Sequence, residues 1–567
     1  MPARWALPGY ALLLAVVVTA PLLAPGYLLI RDAVSTPRSY LSDGALGLGE
    51  SAPRAVPQDF AIVVLSAALD GGVLVKGLLV AALMLAGWGA GRVAAELLPE
   101  AGLPGQLVSA TVAVWNPFVA ERLLQGHWSL LLAYGCLPWV ARSVMDLRNA
   151  GPNLGRWAGL AFWVALAGLT PTGAVLAAMV ALVCLAVPGT GVRRRHGAGA
   201  VVVVSALAAV PWVAASLLGS GLASTRADGL AAFAPRAEPL LGTLGSLAGL
   251  GGIWNSEAVP ASRTTGFALL GTVVLLGVVA CGVPLLVRRR TGTPLLGLAV
   301  AAVLLPAALA TGPGLALLRA AVETVPGLAV LRDGQKWVAL AMPGYALAAA
   351  GAVLVLRRWL WPGMAALLCC VAVLAALPDL ALGVGGKLRS VRYPPGWQQI
   401  ADRINADPAP VAVLPAATMR RFGWAGPAPV LDPVPRWVRA EVLSTGDLLV
   451  SGQVVPGEGI RARAVQRMLE SGAGPEALAS AGVGWLLVEF GTPGPMGSGQ
   501  TLSQLPVAYA DGDVALYRVG GTAAPAPRAR RIAMVVAHLV WAATLILGAV
   551  GSAVAWTRRP GQSGGRP

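Results

Sequence analysis

The stretch WNPFVAERLLQGHWSLLLAYGCLPW, Trp115 to Trp139, sets Glu121, Arg122 and His127 between two apolar runs that each suit a bilayer crossing. Histidine occurs only three times in the 567 residues. Charged side chains at membrane depth cost roughly 2.5–3.5 kcal/mol each on insertion scales, so their placement carries information. The stretch reads as two spans joined by a tight outer loop, which brings Glu121, Arg122, Gln125 and His127 to one aqueous face. There Arg122 suits a phosphate contact, and His127 a hydrogen bond to phosphate or sugar. The structural alternative has Glu121 and Arg122 snorkelling while His127 is a satisfied interface residue beside Trp128.

Composition supports the membrane reading. Apolar residues make up 56% and charged residues 12% of the chain, against about a quarter charged in soluble domains. The net charge of +16 is spread over short arginine-rich turns beside apolar runs: RRRH at 193, RRR at 288 and RRW at 357. That is the positive-inside pattern, with attraction to anionic lipid as a second reading, and no nucleic-acid partner is expected. All five cysteines lie in apolar segments without metal-ligand spacing, so neither a disulfide nor a metal site is expected. The first apolar run, from Ala6 to Ile30, is too long for a signal-peptide core and lacks a small-residue cleavage site before Arg31, which predicts a retained span.

At about 20 residues per crossing, about twelve runs qualify. They fall near 6–30, 73–96, 105–121, 128–146, 157–169, 172–188, 198–218, 265–287, 294–311, 336–356, 360–382 and 532–556. The run from Trp157 to Pro188 is divided at Thr170-Pro171-Thr172, because Pro171 removes a backbone donor and restricts Thr170. This parity sets most arginine turns on one face and both termini in the cytoplasm. Lys387, Arg389 and Arg392, with Arg528, Arg530 and Arg531, disagree with it, because they flank a segment assigned to the outside.

That segment, 383–527, is richer in Pro, Gly, Asp and Glu. Short β-like runs at Val411–Pro415, Trp485–Glu489 and Val507–Val519 alternate with helical spacing at Trp397–Asn405 and Ala462–Ser471, the pattern of a small α/β domain. The predicted organisation is a transmembrane domain at 1–382, this extracytoplasmic domain at 383–527, a last helix at 528–556, and a disordered cytoplasmic tail at 557–567. The fold class is an all-α polytopic membrane bundle with a small α/β domain before the last helix.

Polar residues gather in four outer groups. The first loop, Arg31 to Asp59, holds Asp32, Asp43, Glu50 and Asp59 with Arg31, Arg38 and Arg54. Asp32 directly follows the first span, where desolvation is expected to raise its pKa and suit it to take a proton from a sugar hydroxyl. The alternative is an interfacial ion pair with Arg31 or Arg38. The second group is the opening stretch. In the third, GGIWNSEAVPASR, Trp254 suits stacking on a sugar face, while Asn255, Glu257 and Arg263 suit hydrogen bonds to it; an aromatic-belt Trp in an ordinary loop is the alternative. In the fourth, LRDGQKW, Arg332, Asp333 and Lys336 lie together, and the two cations, one helical turn apart, suit a lipid-phosphate anion or else anchor the span among headgroups. No Walker loop, HExxH, GxSxG or dinucleotide fingerprint is present in the sequence.

This arrangement resembles the GT-C superfamily of integral-membrane glycosyltransferases, which use polyprenyl-phosphate-linked sugars. The resemblance implies many spans, an acidic residue soon after the first helix that matches Asp32 in RDAVSTPR, and a late outer domain that matches 383–527. The segments NPFVAERLLQGHW, GGIWNSEAVPASR and LRDGQKW are similar to those of actinobacterial membrane proteins distantly related to arabinofuranosyl- and mannosyltransferases of cell-envelope assembly, and to YfhO-like proteins. One departure is that Asp32 is followed by Ala33 rather than by the Glu of protein mannosyltransferases, which keeps Asp43, Glu50 and Asp59 as alternative bases.

The resemblance implies an inverting transfer from a polyprenyl-phosphate sugar to a glycan or glycolipid acceptor outside the plasma membrane. Asp32 would deprotonate the acceptor, and Arg122, Arg332 and Lys336 would neutralise the departing phosphate, with no metal or cofactor required. Two rivals are a flippase, which would place ionisable groups at mid-span, and a non-catalytic envelope-assembly protein that binds glycan.

Overall fold

The computed structural model describes residues 3–50, 52–219, 229–450 and 452–557. The predicted tail beyond 557 lies outside the described residues. Among them, seven helices are long and apolar enough to cross a membrane, or up to nine if two bent pairs each count as one span. The chain is a multi-pass membrane protein. Leu217, Val73 and Leu305 are each more than 60% exposed, which suits contact with lipid and would be an aggregation liability in water.

The difference from twelve predicted runs has local causes. Apolar runs 157–169 and 172–188 form helices of only 14 residues, Leu154–Ala167 and Pro171–Cys184. The run near 294–311 continues through a 91° bend into Gly312–Thr324, and the run near 360–382 breaks by 73° at Pro378. The predicted span 105–121 is also broken: helix Gly102–Val114 stops at Trp115, and a separate nine-residue helix runs from Pro117 to Gln125. Asn116 makes that break. Its Oδ1 accepts the Val119 amide at 3.1 Å, while its Nδ2 donates to the Val112 carbonyl at 2.9 Å and the Tyr134 hydroxyl at 3.0 Å. Pro117 occupies the first helical position, where its missing N–H costs nothing.

The most enclosed spans are Gly334–Leu356 and Trp128–Ala150, with 89% and 83% of their apolar windows buried. Trp128–Ala150 packs on Gly71–Leu97 so closely that a Cβ on Gly135 would collide with the Ala82 carbonyl, the small-residue contact typical of membrane helices. Helices Arg194–Leu218 and Arg528–Thr557 are peripheral. Arginine-rich turns collect at one end of the bundle, where Arg142 meets Glu96, Arg289 meets Glu100, and Arg148 donates to the Val187 and Val192 carbonyls. His127 caps the start of the helix whose last turn holds Arg148, about 32 Å away at 1.5 Å per residue, so the polar groups it carries occupy the opposite end.

At that opposite end lies the sheet region near the C-terminus. Strand Trp485–Glu489 runs parallel to Val411–Leu414 and antiparallel to Val514–Arg518, which pairs in turn with Val507–Ala510; Val442–Leu443 flanks Val411–Leu414 in parallel. Helix Pro395–Ala406 covers one face through Trp397, Ile400 and Ile404, and helix Ile460–Glu470 covers the other through Val465 and Leu469. The first outer loop belongs to this region as much as to the bundle. The first span ends at Leu23 rather than Ile30, and strand Tyr27–Ile30, which leads into the loop, pairs with Ala33–Val34 on one edge and with Ser390–Val391 on the other.

Candidate active site

Arg31 and Asp32 form the two-residue turn between those first strands. Two-residue hairpins favour positive φ, and Arg31 adopts φ +47°, a left-handed conformation that costs a non-glycine residue roughly 1–2 kcal/mol. Four contacts hold it there. The Arg31 amide donates to the Pro429 carbonyl at 2.7 Å, and the Arg31 carbonyl accepts the Leu431 amide at 2.8 Å. The Arg31 guanidinium donates to the Leu124 and Glu257 carbonyls at 2.6 and 2.7 Å. Leu124 belongs to the last turn of helix Pro117–Gln125, so a cation meets the negative end of that helix.

The Asp32 amide donates to the Gln125 carbonyl at 3.1 Å. Gly126, at φ +82°, ends the short helix against the turn, and a Cβ there would collide with the Ile30 carbonyl and the Ala33 amide. Only glycine permits this approach. It brings Asp32 Oδ2 within 2.8 Å of His127 Nε2 and 3.1 Å of Gln125 Nε2. Asp32 Oδ1 has no protein partner among the described residues, and its side chain is 39% exposed.

Behind His127 the network continues inward. Nδ1 of His127 lies 3.0 Å from Arg122, which also donates to both Asp333 oxygens at 2.8 and 3.0 Å and to Gln335. Gln335 donates to Glu121, which accepts the Gly252 and Ile253 amides at 3.2 and 3.0 Å. Glu121 and Arg122 are fully buried. They are therefore neither at an aqueous loop nor snorkelling, because the break at Asn116 turns their helix into the protein.

Burial pushes the Asp32 carboxyl up, but the hydrogen bond and the charge of a protonated His127, the hydrogen bond from Gln125 and the charge of Lys336 outweigh it and hold the group below the usual carboxylate range. The sequence expectation of a raised pKa is corrected on this point, since it counted desolvation and not the donors. Burial lowers the His127 imidazole, and Arg122 and Lys336 oppose the upward pull of Asp32, leaving it below its ordinary value. Asp333 is also buried, yet Arg122 and Lys336 hold it well below the carboxylate range.

These groups open onto a cleft of about 2010 Å³ between the bundle and the sheet region, lined by Asp32, Gln125, His127, Trp254, Asn255, Glu257, Arg332, Asp333 and Lys336 on the bundle side. Lys336 Nζ lies 3.8 Å from Asp333, outside hydrogen-bond reach. The Arg332 guanidinium sits over the Phe233 ring at 4.2 Å; burial and neighbouring Arg54 lower it to about 10, so it stays charged at neutral pH. Asn255 donates to Gln125 at 2.8 Å, Trp254 packs edge-on against Phe233, and Glu257 lies between Arg31 and Arg421 at 3.8 and 3.4 Å.

The remaining carboxylates of the first loop also line the cleft but are engaged elsewhere. Asp43 pairs with Arg531 at 2.9 Å, Asp59 with Arg436 at 3.3 Å, and Glu50 accepts the Arg461 amide at 3.2 Å. Arg54 pairs with Glu458. Arg38 donates to the Val63 carbonyl at 3.3 Å and lies beside Tyr40. Arg263 is not brought to this site: the turn Ala261–Thr264 directs it into a buried pair with Glu238, with Thr272 accepting at 2.9 Å. Gln335 and Glu238 were absent from the sequence reading. Nothing in the sequence marks their partners, whereas Asn116-Pro117 and Gly126 carried cap and turn signals. Among the described residues no group of three or more His, Cys, Asp or Glu converges to hold a metal ion.

No protein-family model matches the chain, and no curated protein matches it by sequence. Its fold is similar to that of arabinofuranosyltransferase AftD from mycobacteria, solved by cryo-electron microscopy, with a TM-score of 0.54 and 18% identity over 92% of this chain. The chain spans 40% of the length of that protein.

Proposed function

We propose that the chain is a glycosyltransferase of the GT-C type that moves a sugar from a polyprenyl-phosphate donor to a glycan or glycolipid acceptor in this cleft, on the extracytoplasmic face of the plasma membrane. The observation that carries the reading is Asp32, anchored through one carboxylate oxygen and free at the other, facing a large cleft beside Lys336 and Arg332. The acceptor oxygen attacks the anomeric carbon as its proton passes to Asp32 Oδ1. The bond from the anomeric carbon to the phosphate oxygen breaks, the electron pair leaves with the polyprenyl phosphate, and the configuration inverts.

Asp32 is ionised at neutral pH and ready to accept the proton that becomes acidic as the acceptor oxygen shares a lone pair with the anomeric carbon. Lys336 and Arg332 balance the charge growing on the leaving phosphate. The likeness to AftD supports the fold on which the reading rests. The arginine-rich turns at the far end support the sidedness, because such turns stay in the cytoplasm.

The test is transfer by the purified full chain in nanodiscs, using radiolabelled pentosyl and hexosyl polyprenyl phosphates with envelope lipid extract as acceptor. A labelled product that needs both donor and protein is expected. Absence of product across the donor panel, with protein that remains folded, overturns the reading.

A further inference from the structure

We propose that Arg122 is a positioning residue that locks His127 in a single neutral tautomer, with its proton on Nε2, and so commits the imidazole to support Asp32 rather than to act as a base itself. A guanidinium carries donors and no acceptor. The contact of 3.0 Å between Arg122 and His127 Nδ1 therefore requires a lone pair on Nδ1. A neutral imidazole has one N–H, which must then sit on Nε2, 2.8 Å from Asp32 Oδ2, and donate to that carboxylate. Protonating Nδ1 would point two N–H groups at each other.

Arg122 cannot swing aside to relieve such a clash. It is fully buried, held by both oxygens of Asp333 and by Gln335, and backed by the Phe118 ring at 5.6 Å. The charged groups facing His127 are Asp32 from the hairpin, Arg122 from the short helix, and Asp333 and Lys336 from the segment opening helix Gly334–Leu356. Two carboxylates and two cations already balance, so a charged imidazole would add an uncompensated third positive charge. Its consequence for transfer rests on the proposed function: Asp32 alone accepts the acceptor's proton, and His127 keeps it oriented, as second partners orient reacting groups elsewhere.

The chain has three histidines, His127, His196 and His538, which makes ¹⁵N-histidine NMR of the full chain in nanodiscs practical, with His127→Gln assigning the signal. The expected spectrum has His127 as the Nε2–H tautomer, still neutral at pH values where a free imidazole, which titrates near 6.5, takes up its second proton. An Nδ1–H tautomer, or a charged ring at pH 6, overturns the proposal, and this readout is taken on the wild-type chain. Because Arg122→Met alone removes the hydrogen-bonded partner of buried Asp333 and leaves it only Lys336 at 3.8 Å, the variant pair is Arg122→Met with Asp333→Asn. In it the His127 midpoint should rise toward the free value and the Nδ1–H tautomer should become populated; a midpoint and tautomer both unchanged also overturn the proposal. Failure of transfer in the wild type would remove the proposed function while leaving both NMR outcomes intact.

Discussion

Four carboxylates of one loop face one cleft, and they meet two different fates. Asp43, Glu50 and Asp59 each engage a group from the C-terminal third of the chain: Arg531, the Arg461 amide and Arg436. They act as struts that hold the loop, the sheet region and the last helix together. Asp32 is tied instead to the bundle through His127 and Gln125, and its other oxygen has no partner among the described residues. Residue type does not separate a candidate base from a strut. The separation comes from what lies behind each side chain: an imidazole and an amide at Asp32, and a cation or a backbone N–H at the others.

The comparison breaks most readily at its root. Arg122→Met leaves buried Asp333 without its bidentate partner and with only Lys336, 3.8 Å away, to balance it, and is expected to cost about 3–5 kcal/mol, read as a large drop in unfolding temperature of the nanodisc-embedded protein. If the melting curve barely moves, the inner network is not what holds His127. Gly126→Ala comes next. Its Cβ collides with the hairpin backbone and its φ is unfavourable, so a loss of about 1–3 kcal/mol is expected, and the Asp32–His127 contact should loosen, visible as a shift of the His127 ¹⁵N signals.

A smaller effect concerns pH. The folded pKa of Asp32 and Asp333 lies below the unfolded value of about 3.9, so their stabilisation is complete above that pH and is lost only as the medium falls through their depressed folded values. The folded His127 likewise refuses a proton that the unfolded imidazole takes below about 6.5, so stability declines gently as pH drops from there. Melts between pH 7.5 and 5 should show this shallow limb in the wild type and lose it in His127→Gln. The smallest effects belong to the struts: Asp59→Asn or Asp43→Asn should cost about 1 kcal/mol or less each, because these pairs are partly exposed and screened by salt. A loss as large as that of Arg122→Met would erase the distinction.

The membrane bundle was legible in composition and in the length of apolar runs, and strands near 411 and 485 were legible as short apolar runs, because burial on both faces leaves a continuous apolar trace, while the run 507–519 is divided into two paired strands, Val507–Ala510 and Val514–Arg518. The break at Asn116 was not read, although a capping Asn before Pro is a local signal. The apolar residues on either side averaged across it and suggested one span. That error carried Glu121 and Arg122 to the wrong environment. Arg263 was grouped with Trp254, Asn255 and Glu257 by proximity in sequence, but one 3-10 turn sends it to Glu238, which lies far earlier in the chain. Gln335 sits beside a recognised cation and is a buried hub all the same. Such partnerships are tertiary, as is the set of donors that holds Asp32 ionised.

The most direct measurement compares Asp32→Asn, Asp43→Asn, Glu50→Gln and Asp59→Asn in one transfer assay, each checked for folding. Asp32→Asn is expected to lose about 10²–10⁴-fold in turnover, while the other three keep rates within a few-fold of the wild type. Turnover retained by Asp32→Asn, or lost in one of the others alone, would contradict the account.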